Sequence, residues 1–232
     1  MKDRISIEGR DGTFNAYISR PKTLPAPAVV VLQKLFGVNA DIRKHCDELA
    51  EQGFLAVAPD LFWRQEQGVD LSVNSDADWA HGLRLYAAYD RDAGATDVKD
   101  TVNAVRNLKE CNGKVALLGY CLGALMVFLT AARNSGVDAA VAYHGGDTEK
   151  YLGEVDGLRG SILMHLAEED EFISKAAQAE IKAALAGKPN AMVYSYAGQR
   201  HAFSRHNGTH YNAAAAHLAN GRTSEFLAQQ LR

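Results

Sequence analysis

The sequence predicts an α/β protein, a mostly parallel sheet with helices on both faces. Three observations carry this expectation. Short β-branched runs alternate with helical patterns from residue 28 to the end, the pattern of parallel strands joined by crossover helices. The 232 residues suffice to bury a sizeable core. No repeat, linker or break in composition divides the chain, so a single domain over residues 1–232 is expected.

The elements follow in order. ISIEG and FNAYIS alternate around an Asp-Gly turn and predict an opening hairpin. PAVVVLQ predicts a buried strand. Asp41 is placed to cap a helix in which Ile42, Cys46, Leu49 and Ala50 recur at helical spacing up to Gly53. FLAVAPD is the next strand, closed by Pro59. Residues 62–75 are polar and irregular and predict a loop, and 76–90 a helix. Val98, Val102, Val105 and Leu108 form a helical face ended by Asn112 and Gly113. KVALLGY is a strand and 122–134 a helix. DAAVAYHG and SILMHLA are strands; the acidic EEDE follows, then a helix near 174–186. AMVYSYA is the last strand, and 211–230 is mostly helix.

Composition narrows the function. The net charge of −3 offers no basic surplus for a nucleic-acid partner. No apolar run approaches the roughly 18 residues that a membrane span needs, and MKDRISIEGRDG lacks a signal-peptide core. Three scattered cysteines, Cys46, Cys111 and Cys121, make no disulfide framework, so a reducing cytoplasm is expected. Cys46 and Cys111 read as structural. A monomer or small homo-oligomer is compatible with all of this.

Residues 119–124, GYCLGA, pose the functional question. Two glycines bracket a cysteine where a strand pattern meets a helix pattern. A nucleophile must present its reacting atom clear of its own backbone, and a sharp strand-to-helix turn does so. Strand and helix then nearly touch, which demands small residues two before and two after. The helix N-terminus favours a thiolate, and the N–H of Leu122 can stabilise an oxyanion. At this composition about 0.02 such patterns would arise by chance, so Cys121 is the expected nucleophile. It needs a base, and the base an orienting acid. Chain order nucleophile, acid, histidine points to Asp170 and His201, with Glu168 and Glu169 as positional rivals. His144 and His165, in or at the end of strands, read as buried structural histidines. His201, His206 and His210 cluster, but without cysteine or carboxylate support they do not read as a metal site.

LFGVN at 35–39, APDLF at 58–62, YDRDAG at 89–94, GKVALLGYCLG at 113–123 and HAFSR at 201–205 together resemble the dienelactone hydrolase (carboxymethylenebutenolidase) family over nearly the whole chain. The resemblance implies an α/β-hydrolase fold and a Cys–His–Asp triad. It implies hydrolysis of a lactone or ester through a thioester, a small-molecule partner, no cofactor and a setting in aromatic-compound degradation. Matched by motif, Cys121, His201 and Asp170 form the triad, and the backbone N–H groups of Leu122 and Leu35 the oxyanion hole. Arg205 matches an arginine that helps hold a substrate carboxylate.

Two departures stand out. The family usually carries Gln-Glu before the aromatic–Gly–Val–Asn run; this chain has Gln33-Lys34. A lysine there either favours a standing thiolate or turns to solvent without effect. Where the family usually has a second carboxylate-gripping arginine, the nearest match is Trp79, with Arg84 a turn further on. Trp79 suggests a more apolar substrate or is core, and Arg84 compensates if its helix faces the cleft. A broader neutral esterase, with phosphotriester hydrolysis as a side activity, and a silent binding protein are the alternatives.

Overall fold

The opening alternation does build a hairpin. In the computed structural model, which describes residues 3–134 and 136–231, β1 (Arg4–Gly9) pairs antiparallel with β2 (Gly12–Ser19) from Arg4↔Tyr17 to Gly9↔Gly12. Eight strands make a mostly parallel sheet flanked by helices. The chain forms two compact units whose boundary falls between Leu117 and Leu118.

In the first unit, β3 (Ala26–Leu32) and β4 (Leu55–Pro59) are parallel, and β2 pairs antiparallel with β4. Every residue of β4 is buried, so both of its faces are covered, as a run without polar alternation requires. Helix α1 (Ala40–Glu51) and helix α3 (Arg91–Arg106) pack on these strands. The cap of α1 is Asn39, not Asp41: extended backbone at Asn39 lets its side chain accept from the Ile42 N–H, which leaves Asp41 inside the first turn. Helix α2 (Asp76–Ala87) is capped by Ser75. Helix α3 ends at Arg106, earlier than expected, and Asn112 and Gly113 lie inside β5 (Cys111–Tyr120). The Arg64 guanidinium grips buried Asp97 through two bonds of 2.9 and 2.7 Å, and the Trp63 indole N–H adds a third at 2.8 Å.

In the second unit, β6 (Ala139–Tyr143), β7 (Ser161–Ala167) and β8 (Ala191–Tyr196) are parallel neighbours. Helices α4 (Leu122–Arg133), α5 (Lys175–Leu185) and α6 (Ala213–Gln230) pack on them. A 3₁₀ helix at Thr148–Gly157, which the sequence reading left unassigned, follows β6. Helix α4 is buried over its first ten residues, which explains its apolar run. Among the described residues no helix is long and apolar enough to cross a membrane.

A buried polar network ties α6 to the strands. His165 on β7 bonds the Tyr196 hydroxyl at 2.7 Å and the Thr223 hydroxyl at 3.0 Å. Thr223 also meets the Tyr143 hydroxyl at 2.7 Å. Burial, and secondarily the nearby Arg222 cation, pulls the His165 pKa down to about 3. The folded protein therefore keeps His165 neutral while the unfolded chain protonates it near 6.5. The unfolded state binds the extra proton, so stability is full above pH 6.5 and falls on acidification toward pH 3, by up to about 1.4 kcal/mol per pH unit. Denaturant titrations across this range will show that slope reduced by about one proton's worth in His165→Gln; equal slopes in the two proteins would contradict it.

Candidate active site

The site begins with backbone strain. Cys121 has φ 55° and ψ −116°, angles that an L residue rarely adopts. It sits between the end of β5 and the first turn of α4. A Cβ placed on Gly119 would lie 2.2 Å from the Gly123 carbonyl oxygen, so the two flanking glycines allow the strand and helix to touch. The Cys121 N–H donates to the Tyr143 carbonyl at 3.0 Å, anchoring the corner to the end of β6. Its side chain is half-buried, whereas Cys46 and Cys111 are buried. Burial first, then the neighbouring Asp47 charge, pushes the Cys46 thiol far up, out of reach of thiolate chemistry.

The second half of the site comes from loops after β7 and β8. Both carboxylate oxygens of Asp170 face His201 Nδ1, at 3.0 and 2.9 Å. One of them also accepts the backbone N–H groups of Phe172 at 2.9 Å and Ile173 at 3.2 Å. Asp170 is thus fixed before it orients anything. Glu169 pairs instead with Lys175 at the surface. With Nδ1 held by Asp170, Nε2 is the ring nitrogen left for the Cys121 sulfur, whose charge acts on His201. Burial alone would lower the His201 pKa. The Cys121 charge, the bond to Asp170 and the bond to Cys121 outweigh it and push His201 up to about 9. A thiol, an imidazole and a carboxylate in series can place the sulfur's proton on nitrogen and leave a nucleophile.

The sequence reading missed the loop clamp. Glu171 accepts the His201 backbone N–H at 3.1 Å and pairs with Arg200 at 3.1 Å, and its acidity is raised. Burial works against that acidity; the two backbone N–H bonds and the His210 and Arg200 charges overcome it. His210 Nδ1 donates to the His201 carbonyl, 3.1 Å away. Phe172, 61 % exposed, sets its ring edge-on to His201 with centroids 4.8 Å apart. Only spacing to Asp170 flags Glu171 and Phe172, whereas His210 stands out in the sequence by its cluster with His201. Arg205 lies buried after the His201 turn, with Gly208 against its guanidine stem.

The remaining expected residues belong to the first unit. Lys34 is 4 % exposed and ion-paired with Asp41. The alternative that it turns to solvent is therefore wrong: the carboxylate inside α1 holds it in place. Leu35 is buried, its carbonyl close against Gly82 of α2. Trp79 donates its indole N–H to the Val73 carbonyl at 2.8 Å and meets Phe36 edge-on at 4.7 Å. Arg84 is exposed near the end of α2.

This elbow on a parallel sheet defines an α/β-hydrolase fold. A sequence profile of the dienelactone hydrolase family matches residues 14–231. A Pseudomonas putida carboxymethylenebutenolidase is 37% identical over 229 residues, 98% of this chain and 97% of the relative. A protein of Azospirillum brasilense assigned to the same activity is 40% identical over 232 residues, all of both chains. A solved Klebsiella pneumoniae protein assigned as a dienelactone hydrolase superposes with TM-score 0.85 at 26% identity, covering 97% of each chain. The chain belongs to the dienelactone hydrolase family.

The glycines give a paired test of the corner. Gly119→Ala forces its methyl against backbone and will cost about 3 kcal/mol or more. Gly221→Ala, in the exposed face of α6 with open space around it, will gain about 1 kcal/mol from helix propensity alone. Denaturation of both variants beside the parent checks the opposite signs.

Proposed function

We propose that the protein hydrolyses lactones and carboxylic esters with Cys121 as nucleophile, His201 as base and Asp170 as its orienter. The observation that carries this reading is the Asp170–His201 hydrogen bond beside a cysteine on a strained corner whose charge raises the His201 pKa. The membership of the dienelactone hydrolase family supports the substrate class.

The proton of the thiol–imidazole pair stands on His201 Nε2, which holds it up to about pH 9, and sulfur bonds to the carbonyl carbon. The C=O electron pair moves to oxygen, where the Leu122 N–H stabilises it. That N–H lies in the first turn of α4, which has no intrahelical acceptor for it. The tetrahedral adduct collapses, the ester C–O bond breaks, and His201 returns the proton to the leaving oxygen. In a lactone that oxygen stays on the acyl chain. Water then attacks the thioester as His201 takes its proton, and the thiolate leaves. Asp170 holds the ring in one tautomer and stabilises the imidazolium. Arg205 is the anchor for an anionic substrate under this reading, supported by its burial next to the His201 turn.

The test compares kcat/KM for cis-dienelactone and a neutral aryl ester. Cys121→Ala removes turnover of both, and intact-mass analysis of the parent finds an acyl adduct on Cys121. Arg205→Met lowers kcat/KM for the anionic lactone more than for the neutral ester. Turnover that survives Cys121→Ala refutes the mechanism.

The pH profile follows from His201. It holds its proton up to about 9, and that proton is what the leaving oxygen receives. Turnover will therefore decline as pH rises through about 9; a profile flat to pH 10 or more would count against the assignment.

A further inference from the structure

The bonds to Asp170 fix one edge of the His201 ring, but a ring held at one edge can still pivot about that axis. Its faces must be fixed by something else. From the solvent side stands Phe172. From the core side stands His144, with no exposure and a ring centroid 4.5 Å from that of His201, inclined at 58°. The rings of Tyr120, Tyr143 and Phe203 surround His144 in turn, at 6.4, 6.2 and 6.2 Å.

Its backbone is held as firmly as its ring. His144 follows directly on β6 with φ 42°, a left-handed conformation uncommon outside glycine. Its N–H donates to the His165 carbonyl at 2.8 Å. The residue before it, Tyr143, accepts the Cys121 N–H. The residue after it, Gly145, lies so close to α4 that an added Cβ would sit 3.0 Å from the Leu125 nitrogen and 3.1 Å from the Ala124 Cβ. The three residues 143–145 thus touch the nucleophile's amide, the base's ring and the first turn of the nucleophile's helix.

We propose that His144 is a positioning residue, a ring platform that sets the height of the His201 imidazole over the Cys121 sulfur through a backbone that the elbow itself clamps. The proposal rests on the triad reading above. It assigns the ring a packing role, so a phenyl ring serves where a ringless side chain does not. Asparagine is the right ringless control, because it tolerates φ near +50° and so separates loss of the ring from backbone strain.

Steady-state kinetics on the neutral aryl ester decide it, with thermal unfolding of each variant as the folding control. His144→Asn will lower kcat at least ten-fold with KM within two-fold, the penalty expected when a catalytic group is misplaced by about an ångström. His144→Phe will recover kcat to within three-fold of the parent. A folded His144→Asn protein that loses less than ten-fold overturns the proposal, and so does a folded His144→Phe protein no better than His144→Asn. If His144→Asn does not fold, His144→Phe decides alone: kcat within three-fold supports the platform, and a larger loss overturns it. Cys121→Ala run alongside separates the two readings. Turnover that survives it removes the triad and this proposal together; an inactive Cys121→Ala beside an unimpaired His144→Asn removes this proposal alone.

Discussion

The contact between Gly119 and Gly123 is the constraint on which the site depends. A carbonyl oxygen occupies the space where a side chain on Gly119 would begin, so β5 can turn into α4 with no intervening residue except Cys121. The turn in turn dictates the left-handed backbone of Cys121 and aims its sulfur away from the chain. A strained residue persists only where its surroundings over-determine it. Here the fully buried start of α4 and the bond from the Cys121 N–H to the Tyr143 carbonyl do so.

The second unit separates its polar groups by task. Around the sulfur, the groups are arranged so that charge is stabilised: Asp170 receives backbone N–H groups and grips His201, and His201 keeps its proton to about pH 9. A layer deeper, His165 lies among hydroxyls and under burial stays neutral far below its usual range. Two imidazoles on one scaffold thus titrate on opposite sides of neutrality, one raised by charged partners and one lowered by burial. That division leaves His165 as a fixed, neutral hydrogen-bonding strut and is what the proposed role of His201 as base requires.

Much of this was legible in the sequence because the responsible signals are local. The fold class followed from strand and helix periods, and the Gly–x–Cys–x–Gly corner from its own spacing. The other shared motifs turn out to encode local structure. Gly37 of LFGVN lies against the Val69 carbonyl, and Asn39 caps α1. Asp60 of APDLF takes the N–H groups of Phe62 and Gly68. In YDRDAG, Asp90 caps α3 and Gly94 leaves room for the Tyr89 hydroxyl. What stayed hidden is long-range. Glu171 holds the His201 loop across 30 positions and Asp97 holds Arg64 across 33, and no period or spacing announces such pairs. The partner of Lys34 lies only seven positions on, in Asp41, but an acid at a helix start reads equally well as a cap. A histidine at a strand end reads as an ordinary buried one, and only the neighbouring His201 ring sets His144 apart.

The central claim is that the corner delivers the Cys121 sulfur to His201 so closely that their charges are linked. The most direct measurement is a titration of the His201 imidazole by NMR in the parent and in Cys121→Ala. The account predicts a pKa of about 9 in the parent and a fall of at least one unit when the sulfur is removed, since the Cys121 charge is the largest of the influences raising it. A His201 that titrates at the same pH in both proteins would show that sulfur and imidazole are not linked, and the account would fail.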